Sequence, residues 1–93
     1  MSIAVRLPTV LRAQAGGQAV VELSGTTVGE VLSALVAEHA GLRGMVIAED
    51  GSLNKFVNIY VNDDDVRYLE QLTTPVSDGD EISVIPAVAG GAN

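Results

Sequence analysis

One stretch of this chain has the apolar spacing of a long helix, and it limits the possible folds more than any other feature. Its apolar positions recur at steps of three and four residues: Val28, Val31, Leu32, Leu35, Val36 and His39. This spacing places the side chains on one face of a helix, and that face must be buried against another element. Thr27 and Glu30 match the S/T-x-x-E capping box, and Gly41 is placed to end the helix. We therefore expect a helix that starts at Thr27 and packs on a sheet.

Runs of alternating apolar residues before and after this helix predict the sheet. Residues 3–7 and 19–23 come first, and the glycine pair at 16–17 between them supplies turn chemistry, which favours an opening hairpin with a long loop. Pro8 should end the first strand. Residues 56–61 form the strongest strand after the helix. Its inward-facing side chains should be Val57, Ile59 and Val61.

Turn-forming residues separate the remaining strand signals. Asn62 and Asp63 begin a turn that leads to a short strand around Val66. A second turn at residues 77–80 precedes a last strand at 81–85. Between the helix and the strongest strand we expect a loop with buried apolar anchors: Leu42, Met45, Val46 and Ile47. This order predicts an α+β fold, a mixed sheet with one main helix on one face.

The composition restricts how such a fold can be stabilised. The chain has 93 residues and no cysteine, which is near the lower limit for a domain that packs without disulfides. Its only aromatic residues are Phe56, Tyr60 and Tyr68, so the core must be aliphatic. We expect residues 1–86 to form one domain and residues 87–93 to form a flexible C-terminal tail.

The net charge of −7 narrows the classes of partner. Between residues 63 and 81 there are seven acidic side chains and one basic one, Arg67. Such a surface is repelled by phosphate backbones and attracted to basic proteins, so we expect no nucleic-acid partner. Charge alone also fits a simpler interpretation, in which these are solvated turn residues. No secretory signal or membrane span is visible, and we expect a cytoplasmic protein.

Metal binding and catalysis by the chain itself have little support in the sequence. The only histidine, His39, lies where the helix should end, which favours a packed or dipole-stabilised position over a metal ligand. The acidic run at 63–65 lacks the spacing and the glycine of a calcium loop. No serine or threonine has a histidine close in sequence. We therefore expect no metal site, no bound cofactor and no catalytic residue.

The end of the chain has the form of a reactive tether. Gly90 and Gly91 follow an apolar run and are themselves followed by Ala92 and Asn93. Glycine has no Cβ, so a glycine pair can pass through the narrow channel of an enzyme that activates a terminal carboxylate. Residues 85–91 would reach about 20 Å beyond the last strand when extended. Because Gly91 is amide-bonded to Ala92, the last two residues must be removed before Gly91 offers a carboxylate.

Three segments together resemble a known family. They are residues 61–66 (VNDDDV), 76–82 (VSDGDEI) and 85–91 (IPAVAGG). The chain is similar to the ubiquitin-like sulfur carriers of the ThiS/MoaD family, and within it looks most like carriers of cysteine biosynthesis. The resemblance covers nearly the whole chain and implies a β-grasp fold.

The resemblance also implies a reaction at Gly91. In such carriers an E1-like enzyme uses ATP to adenylate the carboxylate of the terminal glycine, and a sulfur donor converts it to a thiocarboxylate. The tail positions that the partner channel would need are Pro86, Val88, Gly90 and Gly91. Pro86 would end the last strand and stiffen the tail.

Two further partners are implied by the resemblance. A JAMM-type zinc peptidase would cut after Gly91 and remove the last two residues. A sulfur-accepting synthase would take the sulfur. A PLP-dependent cysteine synthase fits the cysteine branch, while thiazole, molybdopterin and thiosugar synthesis remain alternatives.

Two aromatic residues could mark where the activating enzyme docks. Phe56 and Tyr60 fall on the face of their strand opposite to Val57, Ile59 and Val61. Exposed there, they would form a docking patch together with Ile85. Equally, Phe56 could pack under the loop before it while Tyr60 covers the sheet surface.

Two functions of other classes stay open. The chain could be a ubiquitin-like modifier whose Gly91 becomes amide-linked to target lysines. It could also be a β-grasp binding module without reactivity, for which the tail would be dispensable.

Overall fold

A mixed sheet forms the centre of the molecule. The computed structural model describes residues 2–48, 54 and 57–86. In this part of the chain there are five strands: β1 (Ile3–Arg6), β2 (Val20–Leu23), β3 (Val57–Val61), β4 (Asp64–Asp65) and β5 (Glu81–Pro86). Their order across the sheet is β2-β1-β5-β3-β4. β1 and β5 are parallel, and the other neighbouring strands are antiparallel.

The helices and turns lie between these strands. A short helix α1 (Thr9–Arg12) follows β1, and the long helix α2 (Val28–Glu38) follows β2. Four 3-10 turns complete the described elements: Ala13–Ala15, Ala40–Leu42, Val66–Tyr68 and Gln71–Thr73. The predicted mixed sheet with one main helix is therefore confirmed. No helix in the described ranges is long and apolar enough to cross a membrane.

The start of α2 uses a displaced version of the predicted capping box. Thr27 is the N-cap, and its hydroxyl accepts a hydrogen bond from the Glu30 amide at 3.2 Å. The Glu30 carboxylate, however, accepts from the amide and the hydroxyl of Thr26, both at 2.8 Å, and not from the Thr27 amide. The segment before α2 is held by a β-bridge between Thr27 and Pro75, whose hydrogen bonds run from the Val28 amide to the Thr74 carbonyl and from the Val76 amide to the Thr26 carbonyl. In this position the amide and the hydroxyl of Thr26 both donate to the Glu30 carboxylate. The helix start was predicted correctly, and the reciprocal bond was placed one residue too late.

The end of α2 differs from the prediction. The helix ends at Glu38 with His39 as its C-cap, and Gly41 lies inside the 3-10 turn Ala40–Leu42. The prediction that Gly41 ends the helix is wrong, because the chain continues into this turn in order to bury Leu42. The Gln14 side chain lies close to Gly41, and a Cβ on Gly41 would lie 2.5 Å from Oε1 of Gln14, so a larger residue would require that side chain to move.

One face of the sheet packs on α2 through aliphatic side chains. The helix contributes the predicted stripe, of which Val28, Val31, Leu32 and Leu35 are fully buried. The sheet contributes a matching set of buried residues: Ile3, Val5, Val57, Ile59, Val61, Ile82 and Val84. The inward alternation predicted for β3 is confirmed. In the described part of the chain this core contains no aromatic residue.

The connection between β1 and β2 is more ordered than its sequence indicated. We expected a long loop, but α1 and the 3-10 turn after it bury Leu11 and Ala15 against the core. The predicted glycine turn is present, with φ angles of 67° at Gly16 and 85° at Gly17. Such angles favour glycine because side chains with a Cβ clash there.

Two local predictions after α2 need correction. Met45 was expected to be a buried anchor, yet it is 41% exposed, while Leu42 and Val46 are fully buried. The short strand lies at Asp64–Asp65, and Val66 starts a 3-10 turn that buries its side chain. In both segments burial of one residue determines the backbone path, which alternation over so few positions does not reveal.

Truncating the centre of the helix stripe should destabilise the domain strongly. Leu32→Ala removes a fully buried side chain and leaves a cavity, so we expect a loss of about 2–5 kcal/mol in the free energy of unfolding. Urea denaturation measures it. The control Ser33→Ala changes an exposed neighbour on the same helix and should stay within about 0.5 kcal/mol of the parent protein. Equal stability of the two variants would contradict the packing of α2 on the sheet.

The Glu30 contact should make stability depend on pH. Hydrogen bonds from the Thr26 amide, and then from its hydroxyl, hold the pKa of Glu30 below its ordinary value. A carboxylate with a lowered pKa stabilises the fold above its unfolded pKa, and this contribution disappears as the pH falls through the folded pKa. We expect Glu30→Gln to be less stable than the parent protein at pH 7 and nearly equal to it at strongly acidic pH.

Urea titrations of both proteins at several pH values measure this difference. Thr26→Ala removes the hydroxyl and keeps the amide donor, so it should retain part of the pH dependence. A difference between Glu30→Gln and the parent protein that grows as the pH falls would show that the assigned bonds do not lower the pKa.

Candidate functional site

The strand that leads into the tail is held in the middle of the sheet. β5 pairs with β1 through Glu81, Ile82 and Ser83, and with β3 as far as the pair Pro86 and Val57. We call Pro86, at the end of β5, the tail root. Pro86 is exposed and is the last described residue, so the predicted roles of Val88, Gly90 and Gly91, and the cleavage after Gly91, lie outside the described residues and stay predictions. β5 is thus paired on both sides as far as Ser83, and at Pro86 it is paired with β3 alone.

The face of the sheet opposite α2 carries two of the proposed docking residues. In the described ranges no helix covers this surface, which we call the open sheet face and define by Arg6, Asn58, Tyr60, Ser83 and Ile85. Tyr60 pairs with Ser83, and Asn58 pairs with Ile85. Tyr60 is half-buried and Ile85 is 44% exposed, so a small apolar patch lies directly beside the tail root.

Phe56, the third proposed docking residue, lies outside the described residues. The docking prediction therefore rests on Tyr60 and Ile85. Their neighbouring positions are compatible with a docking patch, and the half-buried state of Tyr60 is also compatible with simple cover for the sheet. Placement alone leaves both interpretations open.

Polar side chains surround this patch on two sides. Arg6 donates to the Glu81 carboxylate through Nη2 at 2.9 Å and through Nε at 3.2 Å. On the other side, Arg67 reaches back along β3, where it donates to the Val57 carbonyl at 2.9 Å and to the Asn58 side chain. Exposed pairs of this kind add little stability. Their effect is to fix the orientation of the side chains around Tyr60 and Ile85.

The role of Arg67 was not visible in the sequence. Arg67 lies nine residues after Asn58, and no spacing rule joins a residue in this 3-10 turn to the start of β3, since β4 lies between them in sequence. Only the course of the chain through β4 brings them together.

An apolar groove of about 330 Å³ lies on the core side of the tail root. It is lined by Pro8, Val10, Leu11, Gly44, Met45, Asn54, Val57 and Pro86. Val10 is 71% exposed at its rim. The sequence prediction missed this groove because it treated the segment of α1 as a loop. The proline before an apolar pair at 10–11 was a signal for a helical turn there.

No cluster of three or more potential metal ligands occurs among the described residues. His39 lies at the C-cap of α2, and its Nε2 is buried without a hydrogen-bond partner. The described part of the site places Pro86, where the predicted tail begins, next to the open sheet face.

Comparison with known proteins identifies close relatives. The sulfur carrier protein CysO of Mycobacterium tuberculosis is 48% identical over 93 residues, which covers 98% of this chain and 100% of the relative. In the crystal structure of the BexX/CysO complex from Amycolatopsis orientalis, one chain is 43% identical, with a TM-score of 0.86, and the match covers 96% of this chain and 99% of that chain.

A third relative is named as a modifier protein and not as a sulfur carrier. SAMP1 of Haloferax volcanii, a small archaeal modifier protein, is 31% identical with a TM-score of 0.82, and the match covers 98% of this chain and 100% of that chain. These similarities confirm the predicted β-grasp fold and the resemblance to ubiquitin-like sulfur carriers.

The match to a family model also covers most of the chain. The model of the ThiS family matches residues 5–91, which includes the second half of β1 at one end and the glycine pair at the other. Since this match spans most of the chain, the chain belongs to the ThiS family.

Proposed function

We propose that this chain is a sulfur-carrier protein whose reactive atom is the carbonyl carbon of Gly91. One observation carries the proposal: the family match ends at Gly91, in a tail that leaves the centre of the sheet through β5. The similarity to CysO over the full length of that relative supports it. The chain supplies a substrate group and has no catalysis of its own.

The first step would remove the last two residues. Ala92 and Asn93 follow the matched range and occupy the position where the carboxylate is needed. A zinc peptidase of the JAMM type would hydrolyse the amide bond after Gly91, which releases a dipeptide and leaves the Gly91 carboxylate.

Activation of that carboxylate would follow in an E1-like enzyme. A carboxylate oxygen attacks the α-phosphorus of ATP, pyrophosphate leaves, and the resulting acyl adenylate carries AMP as a good leaving group. A sulfur nucleophile then attacks the acyl carbon, and AMP leaves. The product is a thiocarboxylate. Because ATP and this enzyme are required together, we place the protein in the cytoplasm.

The domain and the tail would have separate roles in this step. β5 holds the tail root, and the bulky domain stays outside the channel while glycines enter it. Tyr60 and Ile85 lie beside the tail root, where an enzyme that draws in the tail would contact the domain. The acidic residues would speed the encounter with a basic enzyme surface.

The sulfur acceptor is proposed from the family branch. In the cysteine route, the thiocarboxylate sulfur would displace the activating group of a serine derivative held by a PLP-dependent synthase and form a thioester. An acyl shift from sulfur to the amino group would turn this thioester into an amide, and a peptidase would hydrolyse that amide after Gly91 and release cysteine. The similarity to CysO favours this acceptor over thiazole, molybdopterin or thiosugar synthesis. The Amycolatopsis orientalis CysO forms a complex with BexX, so a carrier of this kind can bind a partner protein.

A modifier function is the second candidate. The similarity to SAMP1 favours it, because that protein is a small archaeal modifier. Both functions need adenylation of Gly91. They differ afterwards, since a modifier forms an amide with a lysine of another protein.

Intact mass spectrometry should separate these steps. Incubation with the peptidase should remove the mass of Ala92 and Asn93, and the activating enzyme, ATP and sulfide should then add the mass difference of one sulfur-for-oxygen exchange. Protein that keeps both residues serves as the control and should not react. Formation of covalent protein adducts, with no thiocarboxylate, would favour the modifier function. A trimmed chain that never forms an acyl adenylate would exclude both.

Replacing Tyr60 should weaken activation without unfolding the domain. Tyr60→Ala removes an aromatic ring from the open sheet face, so we expect the KM for the carrier to rise about tenfold while kcat changes little. Pyrophosphate exchange with the trimmed protein measures both constants, and urea denaturation checks the fold. The control Ser33→Ala changes an exposed residue of α2, the helix on the opposite face of the sheet. If KM stayed the same for Tyr60→Ala, the docking role of this face would be wrong.

A further inference from the structure

A second groove lies at the end of the sheet opposite the tail root. Its volume is about 490 Å³, and it is lined by Val61, Asn62, Asp64, Tyr68, Leu69, Glu70, Thr74 and Pro75. β3 runs from Val57, which pairs with Pro86, to Val61 in the groove wall. Four residue steps along a strand separate these points by about 13 Å. We call this the far-end groove.

Two large apolar side chains project at its rim. Tyr68 is 88% exposed, and Leu69, the next residue, is 44% exposed. Scattered apolar residues are common on protein surfaces. Here the two are adjacent and both line a concave surface, which is the arrangement of anchors in a docking site.

The segment that carries these side chains is held firmly at both ends. Val66 is fully buried before it, and Thr74 is 5% exposed after it. The Thr74 hydroxyl accepts from the Glu70 amide at 3.0 Å, and the Thr73 hydroxyl donates to the Glu70 carbonyl at 2.7 Å. A surface fixed in this way loses little conformational entropy on binding.

The backbone of this segment is also unusual. Gln71 has a φ of 53°, in the left-handed region that residues other than glycine seldom adopt. Such strain persists only where the surroundings enforce it, and it is concentrated at functional sites.

The charge around the far-end groove is negative. Asp64 and Glu70 are part of its lining, and Asp63 precedes them in the turn. None of the described lining residues is basic. The nearest basic residue in sequence, Arg67, directs its guanidinium to the Val57 carbonyl at the other end of β3. The surface therefore combines an apolar concavity with uncompensated carboxylates.

We propose that the far-end groove docks a protein segment that presents one large apolar side chain next to arginine or lysine. The apolar side chain would lie between Tyr68 and Leu69, and the cation would face Asp64 and Glu70. Because the groove is distant from the tail root, this partner would hold the domain while another protein acts on the tail. The proposal does not depend on sulfur transfer, and it would hold equally if the chain were a modifier.

The test uses three blocked pentapeptides with the ¹⁵N-labelled protein. The probe is Gly-Arg-Phe-Arg-Gly, and its controls are Gly-Arg-Ala-Arg-Gly, without the ring, and Gly-Glu-Phe-Glu-Gly, with reversed charge. We expect the probe to shift amide signals of Val61 to Asp64 and Tyr68 to Thr74, and to bind about tenfold more tightly than either control. Added salt should weaken this binding.

Two matched variants make the result specific. Tyr68→Ala, at an exposed position where truncation does not disturb packing, should weaken probe binding about tenfold. Tyr60→Ala removes the same ring from the open sheet face and should leave probe binding unchanged. Equal binding of the phenylalanine and alanine peptides would overturn the proposal, since it would show attraction by charge alone. Shifts centred on the acidic turn at Asp78 and Asp80, or no effect of Tyr68→Ala, would overturn it as well.

Discussion

Burial of one aliphatic helix stripe on one face of the sheet is the constraint on which the rest of the structure depends. Val28, Val31, Leu32 and Leu35 belong to the same buried core as the inward side chains of β1, β2, β3 and β5. Because alternate residues of a strand point to opposite faces, the same packing turns Tyr60 and Ile85 outward. The composition of the open sheet face is thus a direct consequence of the core packing.

The position of β5 explains how a small domain can serve as a carrier. The strand lies between β1 and β3, and its last residues stay paired with β3 beyond the end of its pairing with β1. In the function proposed above, the reactive atom is a main-chain carbon of the tail. The domain itself presents an apolar patch beside the tail root and an acidic groove at the opposite end of β3.

Long periodic segments were predictable because many residues repeat the same signal. Five alternating residues define β3, and the stripe of α2 spans eleven residues. Short segments were not. The Glu30 bond to Thr26 forms where the chain pairs with Pro75, the turn past Gly41 buries Leu42, and Met45 lines a groove together with Pro86, so each depends on tertiary packing.

The fold class, the inward residues of the main elements and the resemblance at Gly90 and Gly91 could all be recognised from the sequence, because periodicity and glycine chemistry are local properties. The contacts between side chains required the folded structure. It joined Arg67 to the start of β3, opened a groove beside Pro86 and placed Tyr68 and Leu69 above uncompensated carboxylates. These contacts depend on how strands and turns are arranged around the core, and no spacing along the chain encodes that arrangement.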